Sequence, residues 1–160
     1  MNTKKILLLF IVAVALVISY SNCGQETVAP NALSESPADG VETESGLIMA
    51  DLCNSVALCF SNQGATLNNC VQETSSMDGL GEKIGLPSGE YEPFSAVMQA
   101  EASGAIIPNS VASKQCQTDI NSLTCSSPGM AAAYNPNLSN PYTNIGSAFP
   151  SSPGSCPSVF

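Results

Sequence analysis

The chain has 160 residues, a formal charge of −9 and no histidine. Its basic residues are Lys4, Lys5, Lys83 and Lys114, so arginine is absent as well. Without histidine a Ser-His-Asp or Cys-His catalytic arrangement is impossible. A polyanion without arginine is also a poor match to nucleic acid, whose binding rests on cationic contacts to phosphate.

The chain opens with Lys4 and Lys5, then thirteen uninterrupted apolar residues from Ile6 to Ile18, then Ser19, Tyr20, Ser21, Asn22 and Cys23. A basic start, a short apolar core and a small-residue exit make a secretory signal. The run is shorter than the ~20 residues that a bilayer-spanning helix needs. Tyr20-Ser21-Asn22-Cys23-Gly24 resembles the lipobox of bacterial lipoproteins, with Tyr20 and Asn22 where that family usually has Leu and Gly or Ala. The resemblance implies a signal peptide over 1–22, removed to leave Cys23 as an acylated first residue. The palmitate-type chains on Cys23 would then anchor the protein to the lipid bilayer, at ~0.8 kcal/mol per buried methylene. By the same resemblance, Gly24 in place of an acidic residue favours the outer membrane.

All thirteen acidic residues follow the signal, against Lys83 and Lys114, which leaves the mature part at a formal charge of −11. Such a charge keeps a protein soluble and is repelled by an anionic lipid surface, so membrane attachment requires a covalent anchor. The cysteines are Cys23, Cys53, Cys59, Cys70, Cys116, Cys125 and Cys156, an odd count for an exported protein. Lipidation of Cys23 removes the oddity, and the six that remain are expected to close three disulfides. A zinc site would need four thiolates, and the usual close-spaced CxxC pairs are missing, so no metal and no other cofactor is expected.

Residues 23–46 read as the lipidated cysteine and an acidic flexible linker, with Glu26, Glu35, Asp39, Glu42 and Glu44, Pro30 and Pro37, and few bulky apolar side chains. As a flexible coil, Gly24 to Gly46 would span roughly 25–30 Å. Residues 47–125 read as a cysteine-rich helical domain. Ile48, Leu52, Val56 and Cys59 fall at helical spacing over Leu47–Phe60, with Ser45 placed to cap the start and Gly64 to stop it. Thr66 caps a second helix over about Leu67–Met77, with Leu67, Cys70, Val71 and Thr74 on one face. Residues 79–89, with four glycines and Pro87, read as a solvated loop, and Asp78 and Glu82 lack the ligand spacing of an EF-hand. Pro93 opens a third helix to about Ser103, with Phe94, Val97, Met98 and Glu101 marking its faces. Ala105 to Ile107 suggests a short extended piece. Asn109 caps a fourth helix over about Ser110–Thr124, with a stripe of Ala112, Cys116, Ile120 and Leu123.

Over residues 126–160 Ser, Pro, Asn and Gly make up 21 of 35, and an irregular tail strapped back by Cys156 is expected. Tyr134, Tyr142 and Phe149 are expected to lie on the helices, with contact to a glycan or an envelope protein partner as their competing role. The expected fold is therefore all-α: a small disulfide-stapled bundle of about four short helices, between a disordered N-terminal linker and that tail. A domain of this size buries proportionally little surface and gains from such staples.

Six thiols allow fifteen pairings. Along an intact helix Cys53 and Cys59 would lie about 9 Å apart, and Cys116 and Cys125 about 13 Å, beyond the ~7 Å Cα separation that a bridge tolerates. Cys59–Cys70 across the first helix connection is the preferred pair, with Cys53–Cys116 joining first and fourth helices and Cys125–Cys156 holding the tail.

The order Cys53-x5-Cys59-x10-Cys70, then Ala102-Ser103-Gly104, then Cys116-x8-Cys125 resembles small cysteine-rich lipoproteins of predatory and social bacteria over residues 47–125. That resemblance implies fold and location and no chemistry. The functional expectation is a membrane-anchored, non-enzymatic binding or structural module at the cell envelope. The alternative is an envelope hydrolase using paired carboxylates, Glu90 with Glu92 or Glu101 with Asp119, since glycoside hydrolysis needs two facing carboxyls. A thiol oxidoreductase would need CxxC or a thiol of lowered pKa, and the spacings here are x5, x10 and x8.

Overall fold

A computed structural model describes residues 43–152 and 155–160. Its longest element, α1 (Glu44–Phe60), begins three residues before the expected start. Thr43, not Ser45, is the N-cap, and its side chain accepts from Gly46 N at 3.1 Å. Thr43 to Gly46 therefore belong to the folded body rather than to the linker. Ile48, Leu52, Cys53 and Val56 form the buried stripe that the helical spacing predicts, and Met49 and Ser45 widen it.

A 3₁₀ turn (Ser61–Gln63) carries the chain past α1 and Gly64 reverses it. Thr66 caps α2 (Leu67–Ser75), accepting from Asn69 N at 3.3 Å, as Thr residues at this position do. Thr74 is buried within α2 and donates its hydroxyl back to Cys70 O at 2.7 Å. The glycine-rich stretch that follows is not a solvated loop. It holds a 3₁₀ turn (Gly81–Ile84), and Leu80, Ile84 and Leu86 are buried in the core. Glycines at 79, 81, 85 and 89 shape the backbone there, while the three apolar side chains between them decide its burial.

Pro93 is the N-cap of α3 (Phe94–Ala102), which buries Phe94 and Val97. Ala105 to Ile107 forms no strand; its first two amides fold back on Ala100 O at the end of α3. Asn109 caps α4 (Ser110–Asn121), accepting from both Val111 N and Ala112 N. That helix ends three residues before the expected Thr124 and buries Ala112, Ser113, Cys116 and Ile120. The Ser113 hydroxyl is buried without a hydrogen-bond partner.

Residues 126–160 are more than an irregular tail. They contain α5 (Met130–Ala133) and 3₁₀ turns at Ile145–Ala148 and Cys156–Ser158. Met130, Ala133, Ile145, Ala148 and Val159 enter the same core as the helices. Tyr134, Tyr142 and Phe149 are buried too.

The body is thus helical, with no strand among the described residues. α1 is its hub, packed against α4, α2 and α3. The segment 155–160 wedges between α4 and the Gly81–Ile84 turn, where Asn109 N donates to Val159 O at 2.7 Å and Phe160 N to Ile84 O at 3.0 Å. No helix among the described residues is long and apolar enough to cross a membrane.

Candidate functional site

Cys23 and the signal lie outside the described residues. The six remaining cysteines form three disulfides, Cys53–Cys70, Cys59–Cys125 and Cys116–Cys156. None of the three preferred pairs occurs. The two exclusions drawn from helix geometry agree with this pattern, since neither Cys53–Cys59 nor Cys116–Cys125 forms.

Cys70 meets Cys53 rather than Cys59 because of the shape of the α1–α2 connection. Ala65 N donates to Phe60 O at 3.2 Å, so the reversed chain is level with the last turn of α1 by residue 65. Thr66 is extended, and an extended residue covers ~3.3 Å where a helical one rises ~1.5 Å. Extended backbone and the first turn of α2 together carry Cys70 past Cys59 to the level of Cys53, at a Cα separation of 5.5 Å. Cys59 is left near the end of α1. It meets Cys125, just beyond α4, a helix that packs along α1 and whose Asn121 Nδ2 donates to Asp51 Oδ2 at 3.4 Å. Cys116 then takes Cys156, which places the tail's last turn against α4.

The bridges differ in their surroundings. Cys53, Cys70, Cys116 and Cys156 are each 0% exposed. Cys59 is half-buried and Cys125 is exposed. Among the described residues no group of three or more Cys, Asp or Glu gathers as metal ligands.

Three of the four carboxylates named as catalytic pairs accept hydrogen bonds from the scaffold. Glu101, on the last turn of α3, reaches across to the start of α1. Its Oε1 accepts from Glu44 N at 2.6 Å, and its Oε2 accepts from Ser45 N at 3.1 Å and Ser45 Oγ at 2.5 Å. The free amides of a helix N-terminus and its partial positive charge make this a natural seat for a carboxylate. Asp119 instead accepts from Gln115 Nε2 at 2.8 Å on its own helix. Glu92 Oε1 accepts from Gly79 N at 3.2 Å and holds the turn after α2, while Glu90 is exposed. The contact from Glu101 to α1 spans 57 positions and has no local sequence signature. The Thr43 cap did leave one, a hydroxyl residue directly before an acid at the first turn.

Glu101→Ala is expected to destabilise the body by ~2 kcal/mol, because it removes three hydrogen bonds from one helix end. Denaturant unfolding would measure the loss. Hydrogen exchange should show it concentrated at the Glu44 and Ser45 amides.

Among the described residues two titratable groups depart from their ordinary range. Burial raises Asp51, against the hydrogen bond from Asn121, which lowers it. A carboxyl with a raised folded pKa weakens the native state at neutral pH, and the penalty disappears as pH falls through the folded pKa toward the unfolded value. Asp51→Asn keeps an acceptor for Asn121. It should stabilise the protein at pH 7 by a few tenths to about 1 kcal/mol, discounted for the side chain's partial exposure. Thermal melts across pH should show that advantage shrinking in acid; an advantage that grew in acid would contradict the assignment.

Burial also raises the Tyr142 phenol above its ordinary range, again opposed by its backbone hydrogen bond to Thr66. The neutral hydroxyl accepts from Thr66 N at 3.1 Å and donates to Thr66 O at 3.2 Å, and Tyr134 donates to Gln63 O at 3.1 Å. Tyr134 stacks on Phe60, with ring centroids 5.5 Å apart, and tilts against Tyr142 at 5.1 Å. Tyr134 and Tyr142 thereby clasp the α1–α2 connection.

Compared with protein-family models, curated proteins and solved structures, the chain matches none.

Proposed function

We propose that this protein is a membrane-anchored bacterial lipoprotein: a non-enzymatic binding or structural module of the cell envelope, held on the outer membrane by acyl chains on Cys23. The observation that carries the reading is a matter of parity. Six of the seven cysteines bond among themselves, and the remainder is the one that follows the apolar run and sits in the lipobox-like sequence. Disulfides persist in oxidising compartments, which fits export. The use of Glu101, Glu92 and Asp119 as scaffold acceptors supports a binding or structural role rather than carboxylate catalysis. The body's net negative charge is consistent with attachment through lipid rather than through a basic patch.

Mass spectrometry of the protein recovered from envelopes tests the reading. The expected species begins at Cys23 and carries acyl chains, and Cys23→Ser should release the protein from the membrane fraction. A native protein whose Cys23 is unmodified would overturn the proposal.

A further inference from the structure

The three disulfides divide sharply by access. Two lie among fully buried residues, at 0% exposure for all four cysteines. The third joins half-buried Cys59 to exposed Cys125. Thiol–disulfide exchange needs a thiolate to reach a sulfur, so access governs which bridge reacts first.

The surroundings of this bridge favour approach in two further ways. Cys125 lies in a turn built from small side chains, Ser122, Thr124, Ser126 and Ser127. The Ser127 hydroxyl accepts from Thr124 N at 2.9 Å, and Ser127 N donates to Thr124 O at 2.9 Å. The one bulky side chain in this run is half-buried Leu123. The flanking sequence is also uncharged, although Asp51 reaches Asn121 from α1. The acidic residues of the body end at Asp119, and neither residues 120–160 nor residues 52–72 contain a charged side chain. An anionic thiolate approaching either sulfur therefore meets no like charge from the flanking sequence, although the protein as a whole is acidic.

We propose that Cys59–Cys125 is a thiol–disulfide exchange site, open to external dithiols while the two buried bridges hold the body closed. A thiolate of the dithiol attacks Cys125 Sγ, forming a mixed disulfide and expelling the Cys59 thiolate, which takes up a proton. The second thiol of the reagent then loses its proton and attacks its own sulfur in the mixed disulfide. That step closes the oxidised reagent and releases Cys125 as a thiolate, which is protonated in turn. Two electrons pass from the dithiol to the protein. The site stands independently of lipidation at Cys23.

The test is a brief exposure of the native, full-length protein to dithiothreitol, a quench with alkylating reagent, and peptide mass spectrometry. Cys59 and Cys125 should be alkylated together, at least roughly tenfold faster than the other four, at a rate linear in dithiothreitol. All six labelled together at a rate independent of dithiothreitol would mean that global opening is limiting, and would overturn the proposal. Earlier labelling of Cys53, Cys70, Cys116 or Cys156 would do the same. A Cys59→Ser/Cys125→Ser double variant adds a second reading. If it folds, its four cysteines should stay unlabelled under the same exposure, and rapid labelling there would count against the proposal. If it does not fold, the wild-type time course decides alone.

Discussion

Gly129→Ala is expected to destabilise this protein by ~3 kcal/mol or more, because the added carbon meets the tightest contact of any described glycine. Gly129 has a φ of +80° at the start of α5. A Cβ there would lie 1.9 Å from Ser147 O and 2.6 Å from Ser147 C, which are backbone atoms of the adjoining 3₁₀ turn. The two segments also share a hydrogen bond, Ser147 Oγ to Gly129 O at 2.9 Å. Relief of the clash requires α5 and the Ile145–Ala148 turn to move apart, which would loosen Met130, Ala133, Ile145 and Ala148 in the core. Gly104→Ala is the control. Its φ is +75°, but nothing lies within 4 Å of the added carbon. It should cost only the ~1–2 kcal/mol of a left-handed residue. Equal losses in denaturant unfolding of the two variants would show that the close approach at Gly129 contributes nothing.

Removal of the Cys116–Cys156 bridge by a double change to alanine should cost ~4 kcal/mol, from a cross-link that closes 40 residues of chain. The bridge holds the segment whose Val159 is fully buried and whose backbone pairs with Asn109 and Ile84. The loss should therefore be uneven. The Asn109 and Phe160 amides should exchange faster, while the first turn of α1, held by Thr43 and Glu101, should keep its protection in the folded ensemble. A variant that lost less than about 1 kcal/mol, or that lost protection evenly, would show that 155–160 is held by packing alone.

The two effects share an origin. Each acts where residues 126–160 enter the body, and that region is where the sequence is least explicit. Ile48, Leu52 and Val56 declare a helix face by spacing alone, and Thr66 and Asn109 declare helix starts by local hydrogen bonding. Met130, Ile145 and Val159 are scattered through a stretch rich in Ser, Pro, Asn and Gly, with no period to mark them. Their burial follows from distant partners. The same holds for Leu80, Ile84 and Leu86, whose glycine-rich setting resembles that of an exposed loop.

The candidate site divides along the same line. The six bridging cysteines, the Cys23 lipobox resemblance and the acidic residues are legible as residues. Glu101 was legible as a carboxylate on a helix, but its seat on α1 was not, because a contact across 57 positions depends on how α3 docks.

The sequence by itself determined an all-α body, the core faces of its main helices, two helix caps, and the impossibility of bridging either cysteine pair within a single helix. Those properties depend on neighbours within a turn or two, where the chain's own geometry sets distances. Only the tertiary structure decided which cysteine meets which, what Glu101 binds, and that the tail completes the core. Each of these depends on how far the connections carry the chain before the next helix begins, and a few residues of extended backbone shift that register by more than a helical turn.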